Sequence, residues 1–248
     1  METKKDSLGT RMKEQYEFRS QSSLPRRTYT IIRLDGKAFH TLLKNCKRPY
    51  DDLVISAMNQ TAQYLCQNIQ GCKLGYVQSD EISLVLTDFD TITTEAWFDG
   101  NIQKICSVSA SLATAKFNQL RVLQLNDAAY ENKSKDEWYS LYLDTQVEDL
   151  PLANFDARCF VIPDPTEVHN YLVWRQQDAT RNSIQMYGQA YFSHKELQNK
   201  SCNQIQEMLF QQKGINWNDA PDGFKRGRCI IKDGGWKIVD PPVFTQEP

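Results

Sequence analysis

Asp35 and Asp80 are the residues whose types and spacing could do chemistry, because each closes a strand-like run and two such acids can hold a pair of divalent cations. Magnesium prefers hard oxygen ligands, often one or two carboxylates with water and phosphate completing the shell. Two ions about 3.5–4 Å apart stabilise both the attacking and the leaving oxygen of a phosphoryl transfer. Acids at strand ends and in turns also serve local hydrogen bonding, and spacing alone does not separate the two readings. In Asp35-Gly36-Lys37-Ala38-Phe39-His40 the glycine would let a phosphate or metal approach the backbone, and the N–H groups that follow could cap an anion.

The elements that must position these acids follow from periodicity. Residues 7–20 read as helical, and Thr28 to Leu34 are β-branched and apolar enough for a buried strand ending at Asp35-Gly36. Asp51-Asp52 can cap a helix whose Leu53, Ala57, Met58, Thr61 and Leu65 form one face, with Gly71 and Gly75 stopping it. Gly75 to Gln78 and Ile82 to Leu86 read as a hairpin turning through Ser79-Asp80-Glu81. A second helix is expected from Asp99 to about Phe117, then an acidic irregular stretch over 126–150 and a strand from Ala157 to Ile162. A long helix from Thr166 to Tyr191, another near Asn203 to Gln212, and strands around Cys229 to Lys232 and Trp236 to Val239 complete the chain. No internal repeat or clean linker divides it.

Composition narrows the class. With 248 residues and 40% hydrophobic composition the chain can bury one substantial core, and no apolar run is long enough to cross a bilayer. The N-terminal METKKDSLGTRMKEQYEF lacks the apolar stretch of a secretory signal, so a cytoplasmic location and no membrane partner are expected. Seven cysteines without a C-x-x-C pair read as buried free thiols rather than zinc ligands or disulfides. The net charge of −2 argues against a uniformly basic surface. Basic groups at Arg26-Arg27, at Lys44 with Lys47-Arg48, and at Lys225-Arg226 with Arg228 could still form a local patch, or simply keep a face wet.

The motifs R-L-D-G-x-x-F-H, then G-x-x-Q-S-D-E, then W-F with a lysine farther on, stand here as Arg33-Leu34-Asp35-Gly36 with Phe39-His40, Gly75-Tyr76 with Gln78-Ser79-Asp80-Glu81, and Trp97-Phe98 with Lys104. Phe155-Asp156 with Arg158, Trp174-Arg175-Gln176 with Asp178, and Lys225-Arg226-Gly227 continue the pattern. Together, over roughly residues 7 to 235, they resemble the tRNA(His) guanylyltransferase family, including its guanylyltransferase-like branch of 3′-to-5′ polymerases. The resemblance implies an α+β fold: a polymerase-palm-like antiparallel sheet with helices on one face and a helical and β C-terminal extension. It divides into a catalytic core over 1–135 and a C-terminal part over 136–248 that completes the sheet and helps bind tRNA.

The resemblance further implies two Mg2+ ions on Asp35, the Gly36 carbonyl and Asp80, with Glu81 supporting that site. The implied nucleotide contacts are Arg33, Asp35, Gly36, Lys37, Ala38, Phe39, His40, Ser79, Asp80, Lys104 as the triphosphate lysine, and Asn216. As a loop asparagine, Asn216 could equally serve a turn. Arg181, Asn182, Lys225 and Arg226 are implied tRNA contacts. ATP and GTP or another nucleoside triphosphate would be substrates, tRNA the acceptor, and a homotetramer the assembly. Where eukaryotic guanylyltransferases carry H-I-N-N, associated with reading the histidine anticodon, this chain has Thr180-Arg181-Asn182-Ser183. The expected activity is therefore template-dependent repair of truncated tRNA 5′ ends, with histidine-specific addition of G at position −1 as the alternative. A nucleotidyl cyclase and a non-catalytic RNA-binding protein on a palm scaffold are the competing classes.

Overall fold

The computed structural model describes residues 7–44, 46–132 (side chains through 124) and 151–246. Strands β1 (Tyr29–Gly36), β2 (Cys72–Gln78), β3 (Glu81–Leu86), β4 (Phe155–Ile162), β5 (Arg228–Lys232) and β6 (Trp236–Val239) form one antiparallel sheet in the order β4-β1-β3-β2-β5-β6. The helices are α1 (Leu8–Met12), α2 (Phe39–Leu42), α3 (Asp52–Asn68), α4 (Ile102–Asn132), α5 (Pro165–Tyr191), α6 (His194–Leu197), α7 (Cys202–Lys213) and α8 (Asp222–Arg226). The run β1-α3-β2-β3-α4-β4 is a split βαβ pair of the ferredoxin-like kind, and β5-β6 extend it beyond β2.

Both faces of the sheet are covered, and the strands read accordingly. Ile32, Leu34, Ile82 and Leu84 pack beneath α3 and α4 with Ala57, Met58, Leu65 and Phe117. Ile31, Tyr76 and Val85 point the other way, against Val168, Tyr171 and Leu172 of α5. Alternation then places Arg33 and Asp35 on the α5 face with Ile31, two residues apart each time. At about 1.5 Å per residue, α5 spans roughly 40 Å and outruns the sheet. Its second half packs through Ile184 and Tyr187 on Ile205 and Leu209 of α7 and on Trp217.

Local signals explain the element ends. Asp51 caps α3, its Oδ1 accepting from the amides of Leu53 and Val54 at 3.0 and 3.1 Å. Asp164 caps α5 with Pro165 in its first turn, and Ser201 with Gln204 forms a reciprocal cap on α7. Two expectations are corrected. Gly75 does not stop α3; it lies inside β2, where a Cβ would stand 2.6 Å from Cys66 Sγ, so it permits helix and sheet to approach closely. The second helix runs on to Asn132 rather than ending near Phe117, and the rest of the acidic stretch, with the 135/136 boundary, lies outside the described residues. Among the described residues no helix is long and apolar enough to cross a membrane, and all seven cysteines are free.

Candidate active site

Strand pairing brings the two acids to one corner. Asp35 pairs with Glu81 on β3 and with Asp156 on β4, and the hairpin closes through Ser79-Asp80, with Ser79 at a positive φ of 47°. The Gly36 amide donates to the Asp80 carbonyl at 3.0 Å, fixing the end of β1 to that turn. Burial pushes the Asp80 carboxyl above the usual carboxylate range and the charge of Asp35 adds to the shift, while hydrogen bonds from the Asp80 amide and from Ser79 oppose it. A partly buried carboxylate beside the end of β1, with hard oxygen donors and no soft one, fits a hard divalent cation. Asp35, Asp80 and the Gly36 carbonyl are the atoms that could hold one.

Glu81 faces α5. Its Oε2 accepts from Arg175 Nη1 at 2.8 Å, both side chains are buried, and Arg175 also reaches Asp178 at 3.4 Å. Burial raises the Glu81 carboxyl, against the pull of Arg175 and Arg33. Its Oε1 has no hydrogen-bond partner. Glu81 therefore sits across from Asp35 and ties the strand end to α5.

A cavity of about 360 Å³ opens beside the Ser79-Asp80 turn. Its walls are the start of α3, the loop that precedes it, the middle of α5 and the approach to β5, and Gly36, Ala38, Phe39, His40, Ser79, Asp80 and Asn182 all line it. Leu43, Tyr50, Val54, Met58 and Phe224 make one side apolar, while Lys47 and Arg48 supply exposed cations. That mixture and size suit a small-molecule ligand with one apolar and one charged end. Ala38 adopts a left-handed conformation, φ 55°, which turns the chain from β1 into α2. Phe39 lines the cavity and also belongs to the core, packed on Phe117 and Phe155 at ring separations of 5.3 and 5.2 Å. A Cβ on Gly36 would lie 2.4 Å from the Phe39 ring, so the glycine is required by this aromatic packing as well as by any ligand. Lys37 is exposed, its amide donating to the Asn154 carbonyl at 2.8 Å.

Several expected contacts lie elsewhere. Lys104 is exposed on the first turn of α4 and does not line the cavity. Two residues on, Cys106 Sγ lies 3.6 Å from Cys159 Sγ, and Cys159 pairs with Ile32, well down β1 from Asp35. The helix starts at the wrong end of the sheet for a triphosphate role at the two acids. Asn216 caps a short turn, accepting from the Asn218 amide at 3.1 Å and donating to Asp219 at 3.2 Å, outside the cavity. Lys225 is buried, donating to the Asn218 carbonyl at 2.7 Å and pairing with Asp222 at 3.1 Å, and Arg226 pairs with Asp222 at 2.5 Å. Arg181 is tied to Asp178. The Lys225-Arg226-Gly227 run thus holds structure, whereas Lys47 and Arg48, read from sequence only as part of a wet basic group, face the cavity. Their place after Asp35-Gly36 and before the Asp51 cap was the available signal.

A split-βαβ sheet with two acids at adjoining strand ends, one of them lining a cavity of ligand size, defines a palm-like scaffold of the phosphoryl-transfer kind. Residues 9–163 match the model of the Thg1 family, described as tRNAHis guanylyltransferase. The fold is similar to a bacterial tRNA(His) guanylyltransferase (Thg1)-like protein solved with ATP, at a TM-score of 0.81 and 45% identity over 96% of this chain and 94% of that one. A bacterial Thg1-like protein solved with GTP gives a TM-score of 0.71 and 41% identity, covering 96% and 93%. The tRNA(His) guanylyltransferase of Kluyveromyces lactis is 28% identical, over 93% of this chain and 92% of its own. The chain belongs to the tRNA(His) guanylyltransferase family, a family of nucleotidyl-transferring enzymes.

Proposed function

We propose that this protein adds nucleotides to the 5′ end of tRNA in the 3′-to-5′ direction, choosing each by pairing with the opposite strand of the acceptor stem. The observation that carries this reading is the bond from Gly36, the neighbour of Asp35, to Asp80, with Gly36 and Asp80 both lining a cavity that has an apolar wall and two exposed cations. The reaction has two stages. First, an oxygen of the tRNA 5′-monophosphate attacks the α-phosphorus of ATP, and pyrophosphate leaves. Second, the 3′-hydroxyl of an incoming nucleoside triphosphate attacks the activated 5′ phosphorus, loses its proton, and AMP leaves. An RNA that already carries a 5′-triphosphate enters at the second stage and releases pyrophosphate.

Asp35, Asp80 and the Gly36 carbonyl would hold magnesium, which when bound supplies Lewis-acid stabilisation of the charge on the transferring phosphate. The chain's own residues do the rest. The apolar wall of Leu43, Val54 and Met58 holds the base, Ser79 and His40 flank the sugar and phosphates, and Lys47 with Arg48 offset the polyphosphate charge. Arg33, on the same face as Asp35, meets the RNA phosphate.

Repair is favoured over strictly histidine-specific addition. The chain shares 45% and 41% of its residues with bacterial Thg1-like proteins and 28% with the yeast enzyme. Within Thr180-Arg181-Asn182-Ser183, Arg181 is engaged by Asp178, Ser183 accepts the Trp217 indole N–H at 3.1 Å, and Asn182 faces the cavity. The imidazole of the H-I-N-N run has no counterpart here, which removes the ring that would stack on or hydrogen-bond an anticodon base. The same reading places the protein in the cytoplasm as a homotetramer, which light scattering measures directly. The test is to supply tRNAs lacking their first nucleotide, with varied anticodons and varied opposing bases, and to sequence the products. Addition that follows the opposing base supports repair; dependence on the histidine anticodon, or G added regardless, restores the specific enzyme. No incorporation with magnesium and all four triphosphates would return the chain to a binding role.

A further inference from the structure

The Trp174-Arg175-Gln176 run is only partly used by the nucleotide cavity and the fold. Gln176 fastens the C-terminal segment, donating to the Pro242 carbonyl at 2.8 Å and accepting from the Phe244 amide at 2.7 Å. Arg175 is buried against Glu81. Trp174 has neither duty: it is 51% exposed, so burial accounts for only about half of the surface of an indole. The ring is nevertheless held. The guanidinium carbon of Arg175 lies 3.5 Å from its centroid, that of Arg33 lies 5.8 Å away, and the Tyr171 ring meets it edge-on at 6.0 Å. An indole held by two cations and an edge-on tyrosine, with half its surface exposed, is arranged to stack on another π surface.

Its neighbours indicate which one. Arg33 stands two residues before Asp35 on the same face of β1, which puts it roughly 6–7 Å from the acid along the strand. Its Nε has no hydrogen-bond partner. Arg158 on β4 pairs with Arg33 and is exposed, and among the described residues it is held by Asp156 at 3.4 Å. One row on the α5 face therefore carries a flat aromatic, two guanidiniums and the acid, and Trp174, Arg33 and Arg158 all lie outside the lining of the nucleotide cavity.

We propose that Trp174 is a stacking platform for the terminal base at the RNA 5′ end, with Arg33 and Arg158 taking the adjoining phosphate so that the end is presented to Asp35. The inference rests on the reading of the chain as an enzyme of tRNA 5′ ends. Sequence-tolerant stacking suits a repair enzyme, since every base offers a π face.

The probe is a tRNA lacking its first nucleotide and carrying 2-aminopurine at the new 5′ end, with binding followed by fluorescence and addition followed by KM and kcat. The wild-type protein quenches the 2-aminopurine. Trp174→Ala abolishes the quenching and weakens tRNA binding about tenfold, while KM for ATP stays within about twofold of wild type. Trp174→Phe, which keeps a π face, recovers most of both. A purely structural tryptophan would instead show full quenching in Trp174→Ala, or equal losses for tRNA and ATP with no recovery in Trp174→Phe, and either result overturns the platform. Because quenching is read without turnover, a wild-type protein that binds and quenches but adds no nucleotide would refute the proposed activity and leave the platform standing.

Discussion

The Gly36 amide donates to the carbonyl oxygen of Asp80 at 3.0 Å, and this single backbone bond joins the two acids of the site without using either carboxylate. The carboxylates are left free of that bond, and burial, with a further push from the charge of Asp35, raises the Asp80 carboxyl. Asp80→Asn should therefore keep the fold, with a melting temperature equal to or above that of the wild type. Nucleotide addition should fall by about a hundredfold or more, the loss expected when several kcal/mol of charge stabilisation disappear. Removing magnesium with a chelator should abolish addition while leaving circular dichroism unchanged. Near-normal turnover in either experiment would refute the assignment.

Lys47 and Arg48 line the cavity and Lys104 does not. Lys47→Ala and Arg48→Ala should each raise KM for the nucleoside triphosphate about tenfold, as expected for losing a hydrogen bond to a charged group. Lys104→Ala should behave as wild type in the same steady-state assay. A selective triphosphate defect in Lys104→Ala would show that the sequence-based assignment was right and that α4 meets the substrate.

Arg175 and Glu81 form a buried pair between α5 and the catalytic strand end. Arg175→Ala strands the Glu81 carboxylate, and chemical denaturation should show a loss of about 3–5 kcal/mol. The double variant Arg175→Met with Glu81→Leu should recover most of that stability, since replacing both charges by apolar groups removes the desolvation cost. Equal losses in the single and double variants would mean that packing, not charge, is what the pair provides.

Gly227 has φ 77° and approaches the Tyr76 hydroxyl and the Val77 carbonyl so closely that a Cβ would stand 2.6 Å from both. Gly227→Ala should cost at least about 2 kcal/mol through backbone strain and overpacking. Because Gly227 also lines the cavity, KM for the triphosphate should rise with it. A stable variant with an altered KM would reassign the glycine to ligand approach alone.

The acids, the strands that carry them and the cap of α3 were legible because they rest on local chemistry. The β-branched, apolar run from Thr28 to Leu34, the Asp51 cap and the turn at Ser79-Asp80 each depend on residues a few positions apart. Asp35 and Asp80 were expected at strand ends and are there.

What the sequence could not decide was which side chains share a space. Lys104, Asn216 and Lys225 had suitable chemistry, but helix direction put Lys104 at the far end of the sheet, a turn claimed Asn216, and burial against Trp217 and Asp222 claimed Lys225. Lys47 and Arg48 looked like ordinary surface charge until α5 closed over the other side of their loop. Trp174 stood in a matching motif, but its surroundings were not legible until Arg33, some 140 residues earlier in the chain, came to lie beside it. Periodicity and capping are set by neighbours in sequence, so the chain alone determined its elements and the acids at their ends. The cavity and the cations that face it are set by contacts between distant segments, whose positions depend on helix direction and sheet order, and only the tertiary structure decided those.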